Sequence, residues 1–169
     1  MATTLVSIGE YLATNYRPDR EYIDGTIEER NLGTYDHANL QAALVVWFRT
    51  REREWNIRAV PELRVQVSPT RYRVPDMTVI DRAQPVEQIL THPPLITVEV
   101  LSPEDTWARM EERIADYLSF GIANVWVLDP KSRRAWTIMP EGRREVTTAL
   151  EVAGSPIAVP LEELFRELE

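Results

Sequence analysis

The chain has 169 residues, of which 44% are hydrophobic, and this is enough for one folded domain with a substantial core. It contains no cysteine and only two histidines, which excludes disulfides and zinc–thiolate sites and argues against a multi-histidine metal site. The net charge of −8 argues against a surface that coats nucleic acid, although a nuclease with a local basic rim is compatible with it.

No stretch is apolar over the length that spans a bilayer, and the N-terminus lacks a basic segment followed by an apolar block. We therefore expect a cytoplasmic protein without membrane contact. The chain shows no internal repeat and no linker, so we expect residues 1–169 to form a single domain. A metal ion should be bound by oxygen ligands, which favours magnesium or manganese over zinc.

The first predicted elements are a short helix and a hairpin. Residues Ser7 to Thr14 have amphipathic spacing and begin with a serine that can cap a helix. Residues Glu21 to Glu28 form a predicted hairpin whose bend is Asp24-Gly25, a pair favoured in tight turns. The turn explains Asp24, whereas Glu21 is free to face either a site or water.

A longer helix is predicted from Asp36 to Glu54, since Leu40, Leu44 and Trp47 recur on one face. His37 lies in its first turn, where the positive end of the helix should disfavour protonation of the imidazole. A lone histidine in this position is more often a packing or capping residue than a catalytic one. Both interpretations of His37 stay open.

Two strands are predicted in the middle of the chain. Ile57 to Val67 alternates between apolar and polar residues and predicts the first strand, and Ser68 to Arg73 is interpreted as a connection. The second strand covers Asp76 to Ile80. The link from Asp81 to Pro94 is predicted to contain a helical turn at Pro85–Leu90.

The strand Leu95–Leu101 carries a carboxylate, Glu99, within an otherwise aliphatic and β-branched run. Burying an ionised carboxylate without a partner is costly. Glu99 therefore needs a cation, a network of hydrogen-bond donors, or a proton.

A helix is predicted to follow this strand, with Ser102 as its N-cap and Gly121 at its end. Asp105 stands three residues after the cap and is then explained without chemistry. On a helical wheel Arg113 lies about 60° from the buried Met110, at 100° per residue. Arg113 therefore borders the apolar stripe and can reach back across the rim of the sheet.

The C-terminal part is predicted to add a strand at Asn124–Asp129, a hairpin with arms at Ala135–Met139 and Glu145–Ala149, and a closing helix at Leu161–Leu168. Because helices precede and follow Leu95–Leu101, that strand should be central in its sheet rather than at an edge.

Several of these segments, taken in order, resemble the Uma family of endonucleases within the restriction-endonuclease-like PD-(D/E)XK superfamily. The segments are Glu21-Tyr-Ile-Asp-Gly, His37, Pro75-Asp76, Glu99-Val-Leu-Ser-Pro103, a helix ending in Tyr117-x-x-x-Gly121, and Val125-Trp-Val-Leu-Asp-Pro130. The resemblance covers most of the chain, from Glu21 to Phe165. It implies an α/β protein with a restriction-endonuclease-like fold, in which a central mixed β-sheet is flanked by helices and acids cluster at one end of the sheet.

The resemblance also implies a metal site. Asp76 matches the family's metal-binding aspartate, and Glu99 matches the glutamate of its metal-binding half-motif. Together with a backbone carbonyl near Val100 or Leu101, they would hold one Mg²⁺ or Mn²⁺ ion. His37 would be an auxiliary group near the cleft.

Two positions depart from the family's pattern. The superfamily's lysine would fall on Leu101, and this family's lysine corresponds to Arg113, while Arg109 stands where the family tends to have an acid. Arginine can stabilise the charge of a phosphate but does not deprotonate in proteins. Electrostatic stabilisation could therefore survive at Arg113, whereas a proton shuttle could not. Glu21 would be a second auxiliary group.

The function implied by the resemblance is a metal-dependent endonuclease that hydrolyses the phosphodiester bonds of DNA. The alternative is a catalytically silent protein of the same fold that binds nucleic acid or another protein, with Arg113 simply paired to Glu99. The acidic balance also favours a third possibility, a structural or regulatory partner protein. A homodimer is expected by analogy, because cutting two strands needs two sites.

Overall fold

The computed structural model of the protein describes residues 4–169. Its helices are α1 (Ile8–Ala13), α2 (Tyr35–Arg49), α3 (Trp107–Phe120) and α4 (Leu161–Arg166). Its strands are β1 (Arg20–Ile23), β2 (Thr26–Glu29), β3 (Ile57–Pro61), β4 (Val65–Ser68), β5 (Arg71–Arg73), β6 (Met77–Asp81), β7 (Ile96–Val100), β8 (Asn124–Asp129), β9 (Arg134–Met139), β10 (Gly142–Val146), β11 (Ala149–Glu151) and β12 (Ala158–Pro160). Over these described residues, no helix combines the length and the apolar character needed to cross a membrane.

The largest sheet has six strands in the order β10-β9-β8-β7-β6-β3. It is mixed, because β7 and β8 run parallel while its other neighbouring strands are antiparallel. Strand β7, which carries Glu99, lies inside the sheet between β6 and β8, as predicted. A four-stranded antiparallel sheet has the order β2-β1-β5-β4, and β11 pairs with β12. The predicted α/β architecture, a central mixed sheet flanked by helices, is confirmed.

Helices cover both faces of the six-stranded sheet. On the first face, Leu44 of α2 belongs to the same buried cluster as Val98 of β7, and α4 adds to this cluster. On the second face, Ile114 of α3 shares a buried cluster with Val125 of β8. Because side chains alternate along a strand, Val98 faces α2 and the next residue, Glu99, faces α3.

The single strand predicted at Ile57–Val67 is in fact two strands. β3 ends at Pro61 and belongs to the six-stranded sheet, whereas β4 begins at Val65 and belongs to the four-stranded sheet. Between them Glu62 has a φ of 51°, in the left-handed region, and its N–H donates to the carbonyl of Asp76 at 3.3 Å. This turn redirects the chain from one sheet to the other.

Two predictions for the connecting segments are also wrong. The last three residues of the supposed connection Ser68–Arg73 form β5, which joins β4 to β1. Residues 85–90, all within the described part of the chain, form no helical turn. This segment instead lies beside β4. The N–H of Leu90 donates to the carbonyl of Arg64, and the carbonyl of Leu90 accepts the N–H of Gln66, each at 2.9 Å.

Helix α3 begins later than predicted, and Ser102 is not its N-cap. The side chain of Asp105 accepts the N–H of Ser102 at 2.7 Å, and the N–H of Asp105 donates to the carbonyl of Ser102 at 2.9 Å. These two bonds close a turn before the helix. The N-cap is Thr106, whose hydroxyl accepts the N–H of Arg109 at 3.3 Å.

The other predicted elements are present; β8 has the predicted ends, and several others have shifted ends. Helix α2 ends at Arg49 rather than Glu54, since the chain continues in turns. The second arm of the C-terminal hairpin is β10, and Ala149 belongs to β11. The first hairpin bends at Asp24 and Gly25 as predicted, with φ values of 49° and 95°.

Candidate active site

Asp76 and Glu99 lie together at one end of the six-stranded sheet. The β6–β7 ladder ends with Met77 opposite Val98, so the preceding residue, Asp76, comes beside Glu99. Asp76 Oδ2 accepts the backbone N–H of Val100 at 2.7 Å. Asp76 is only 3% exposed and Glu99 only 1% exposed. The two acids therefore share one buried location, although they are far apart in the sequence.

Arg30 and His37 hold the carboxylate of Asp76. Arg30, which follows β2, donates from Nη2 to Asp76 Oδ1 at 2.6 Å. His37 Nε2 lies 3.3 Å from Asp76 Oδ2. Burial acts to raise the pKa of Asp76, but the hydrogen bond from His37 and the charge of Arg30 outweigh it, so the pKa lies below its usual value. Asp76 is therefore ionised at neutral pH.

Glu99 faces α3 and is held by two of its side chains. Arg113 Nη1 donates to Glu99 Oε2 at 3.0 Å, and the hydroxyl of Tyr117 donates to Glu99 Oε1 at 2.5 Å. Burial raises the pKa of Glu99 to about 7 against the opposing charge of Arg113, and the negative charges of Asp76 and Glu21 add to the rise. Glu99 can therefore exchange a proton near neutral pH.

Glu21 connects the four-stranded sheet to Glu99 through Arg113. Its Oε1 accepts the N–H of Val74 at 2.9 Å, and its Oε2 lies 2.8 Å from Arg73 Nη1 and 3.4 Å from Arg113 Nη2. Arg73 also donates from Nε to Asp116 Oδ2 at 2.7 Å. These ion pairs tie β1 and β5 to α3.

The structure reverses the protonation preference expected for His37. Burial acts to lower the pKa of His37, but the hydrogen bond and the negative charge of Asp76 outweigh it and raise the pKa above its usual value. The hydroxyl of Thr34 caps α2 and accepts the N–H of His37 at 3.3 Å. The sequence showed only the positive end of the helix, whereas the imidazole ring also faces a carboxylate from another element. His37 therefore keeps its proton to a higher pH than an ordinary histidine does.

A cleft of about 20 Å³ opens onto Asp76, which is room for one water molecule or one ion. Its lining residues are Arg30, Asn31, His37, Asp76, Val100, Ser102, Asp105, Arg109 and Arg113. Three of them are arginines from two different segments, so positive charge is concentrated around the carboxylate of Asp76.

Sequence reasoning missed Arg30, Arg73 and Asp105 as members of this cluster. Asp105 lines the cleft and accepts a hydrogen bond from Nδ2 of Asn31 at 2.7 Å. From the sequence alone, Asp105 was interpreted as a helix-capping residue. Arg73 alternates with an aromatic residue in the short strand β5. This alternation is the sequence signal that could have identified a strand carrying Arg73. No pattern marks Arg30, because its partner Asp76 lies 46 residues away in the chain.

The residues at this end of the sheet suit a hard divalent cation that uses few protein ligands. Mg²⁺ commonly binds through one or two carboxylates and keeps several waters, and Asp76 and Glu99 supply such oxygens. Among residues 4–169, no three His, Asp or Glu side chains are grouped so that they could hold one ion. All four carboxylate oxygens of Asp76 and Glu99 contact donors of this chain. An ion that binds these oxygens would therefore compete with these donors.

The protein-family model Uma2, described as "Putative restriction endonuclease", matches residues 10–169. The solved structures that are similar include the crystal structure of a "putative nuclease belonging to DUF820" from Anabaena variabilis ATCC 29413. That protein is 22% identical in sequence with a TM-score of 0.84, and the match covers 97% of this chain and 99% of that chain. At this identity the likeness shows a shared fold. No curated protein matches the chain.

Proposed function

Since this chain belongs to the Uma2 family of "putative restriction endonucleases" and has the restriction-endonuclease-like fold, we propose that it is a metal-dependent endonuclease that hydrolyses phosphodiester bonds of DNA. The observation that carries the proposal is the meeting of Asp76 and Glu99 at one end of the sheet. There Asp76 accepts the N–H of Val100, the residue next to Glu99, at 2.7 Å. The two acids together would hold a single Mg²⁺ or Mn²⁺ ion.

Each side chain around the two acids has a distinct part in this proposal. When bound, the ion would lower the pKa of its water and neutralise charge on the phosphate. Arg113 stays protonated, so its guanidinium would stabilise the phosphate through bidentate hydrogen bonds but would not shuttle a proton. Glu21 accepts from Arg113 at 3.4 Å and so fixes the direction of that guanidinium. His37 orients the carboxylate of Asp76.

The charge around the cleft supports a phosphate-bearing substrate. Arg30, Arg109 and Arg113 line the cleft in a protein whose net charge is −8. Local positive charge on an acidic protein favours the approach of a substrate phosphate at this point rather than over the whole surface. We also propose that the protein acts in the cytoplasm. We propose that it forms a homodimer, because cutting both strands of a duplex takes two centres.

A second candidate function is that of a catalytically silent protein of the same fold that binds nucleic acid or a protein. It is favoured by the two ion pairs, Arg30–Asp76 at 2.6 Å and Arg113–Glu99 at 3.0 Å. A buried pair of this kind is a sufficient structural reason for both partners, since removing either one leaves an uncompensated charge.

Plasmid nicking in the presence of Mg²⁺ or Mn²⁺ tests the proposal. We expect the wild-type protein to nick supercoiled plasmid, and we expect Asp76→Ala and Glu99→Ala to lose that activity. Glu145→Ala is the matched control, because Glu145 is an exposed acid that pairs with Arg134 across the β9–β10 hairpin. Activity that persists in both acid variants would mean a contaminant or a different site. An inactive wild-type protein that still binds DNA would support the silent alternative.

A further inference from the structure

Arg30 makes the shorter of the two cationic contacts to Asp76. Its Nη2 lies 2.6 Å from Asp76 Oδ1, and its Nη1 lies 3.3 Å from Glu62 Oε1. The side chain of Arg30 is only 12% exposed and lines the cleft. A guanidinium thus covers a carboxylate oxygen that the proposed function gives to a divalent cation.

The backbone at Arg30 belongs to neither a helix nor a strand. Arg30 directly follows β2, and residues 30–34 belong to neither helix nor strand before α2 begins. Leu32 in the same segment is exposed. A shift of the guanidinium therefore breaks neither a β-ladder nor a helix. Glu62 is half exposed, so Arg30 can keep this partner at the rim when it leaves Asp76.

Arg113 is held in a different way, although it also covers a carboxylate. It projects from the middle of α3 and bridges two acids, with Glu99 at 3.0 Å and Glu21 at 3.4 Å. Displacing it from Glu99 leaves it fixed by the buried Glu21. Of these two arginines, Arg30 is the one whose departure uncovers Asp76 at the cleft.

We propose that Arg30 occupies the place of the divalent cation at Asp76 Oδ1, and that it must move off this oxygen before the ion binds. The inference rests on the proposed function, because it takes Asp76 as a ligand of the ion. Once displaced, Arg30 remains at the rim of the cleft as a positive group that can bind a phosphate of the substrate. Arg30 is in this sense a positioning residue that sets the affinity for the metal.

Calorimetric titration with Mn²⁺ alone, and separately with Mg²⁺ alone, tests this inference without any nuclease assay. Arg30→Gln removes the positive charge but keeps an amide that can donate to Asp76, and we expect it to bind Mn²⁺ about tenfold more tightly than wild type, the worth of one competing charge-assisted hydrogen bond. Arg30→Ala should bind at least as tightly. Thermal unfolding without metal checks that each variant is folded.

Arg109→Ala is the matched control, because Arg109 is exposed and lines the same cleft. It removes the same charge from the cleft without removing the contact to Asp76, so we expect its Mn²⁺ affinity to change by less than about threefold, since exposed charges are strongly screened. Asp76→Ala should abolish Mn²⁺ binding.

The outcomes separate the inference from the function on which it rests. If Arg30→Gln and wild type bind Mn²⁺ equally while Asp76→Ala does not bind, the metal site stands and the role of Arg30 is refuted. If Arg109→Ala strengthens binding as much as Arg30→Gln, general charge explains the effect, and the role of Arg30 is again refuted. If neither wild type nor Arg30→Gln binds either ion, both proposals fail.

Discussion

Replacing Arg113 by methionine should destabilise the fold to an extent that depends on pH. Methionine retains much of the apolar length of arginine but leaves Glu99 with only the hydroxyl of Tyr117 as a side-chain donor. Glu21 is less affected, because it keeps its 2.8 Å contact with Arg73. The cost therefore falls mainly on the carboxylate of Glu99, which is 1% exposed.

The charge state of Glu99 sets the magnitude. When Glu99 is ionised, removing its partner leaves a buried charge without a counter-charge, which typically costs about 3–5 kcal/mol of unfolding free energy. When Glu99 is protonated, the loss is that of a hydrogen bond from a charged donor, about 1–3 kcal/mol. The pKa of Glu99 is about 7 in the folded protein against 4.5 in the ordinary case, raised chiefly by burial. Glu99 is therefore mostly protonated at pH 5 and mostly ionised at pH 8.

The sign of the pH dependence follows from proton linkage. Between pH 4.5 and pH 7 the folded protein holds a proton on Glu99 that the unfolded chain has released, so the stability due to this group falls as the pH rises. Arg113 lowers the pKa of Glu99, so Arg113→Met extends the fall beyond pH 7. We expect the cost of Arg113→Met to be about 1 kcal/mol larger at pH 8 than at pH 5, because pH 8 lies only about one unit above the pKa of Glu99 and one unit corresponds to about 1.4 kcal/mol.

Urea unfolding at pH 5 and pH 8, followed by tryptophan fluorescence, measures both values. Arg134→Met is the matched control, because Arg134 pairs with Glu145 on an exposed hairpin, and we expect a much smaller loss at either pH. Equal costs of Arg113→Met at the two pH values would refute the reasoning about Glu99. A cost no larger than that of Arg134→Met would refute the idea that the Arg113–Glu99 pair is a buried interaction.

Two further predictions concern the chemistry of the cluster. If the absence of a proton shuttle limits the proposed nuclease, Arg113→Lys should raise the rate of plasmid cleavage in Mg²⁺, because a lysine amine can exchange a proton; an unchanged or lower rate contradicts this explanation. The pKa of His37 should lie above 6.5 in an NMR titration, because the Asp76 carboxylate outweighs burial, and it should fall in Asp76→Asn. The stability from this pair is present below pH 6.5 and is lost as the pH rises through the raised pKa of His37, so a pKa that does not fall in Asp76→Asn rules out this account of the shift.

Local patterns predicted most of the fold. The Asp24-Gly25 bend and the strand around Glu99 depend on turn chemistry and alternation, which neighbouring residues decide. The contact between Arg113 and Glu99 was also predictable. A helical wheel places Arg113 beside the apolar stripe of its helix, and a buried carboxylate such as Glu99 needs a partner. What these signals have in common is that they need no knowledge of which distant segments meet.

The errors arose from a competing local turn in one case and from contacts between distant segments in the others. Ser102 looked like an N-cap, but Ser102 and Asp105 close a turn before the helix, and the hydroxyl of Thr106 caps the helix instead. The break between β3 and β4 depends on the left-handed Glu62 turn, whose N–H donates to a carbonyl in another element. The contact of Arg30 with Asp76 is of the same kind, since only the three-dimensional fold brings these two residues together.

A catalytic centre has to exchange partners, whereas a structural ion pair has to keep them, and the surroundings of the arginines separate these two cases. Arg73 is 2% exposed and lies between Glu21 and Asp116 at 2.8 and 2.7 Å, so nothing from solvent can take its place. Arg30 and Arg113 are 12% and 16% exposed, and both line the cleft. The nuclease and the silent protein would therefore share the same folded arrangement without metal. They differ in whether these two arginines leave their carboxylates for a phosphate when a divalent ion arrives, and metal affinity measures that difference more directly than stability does.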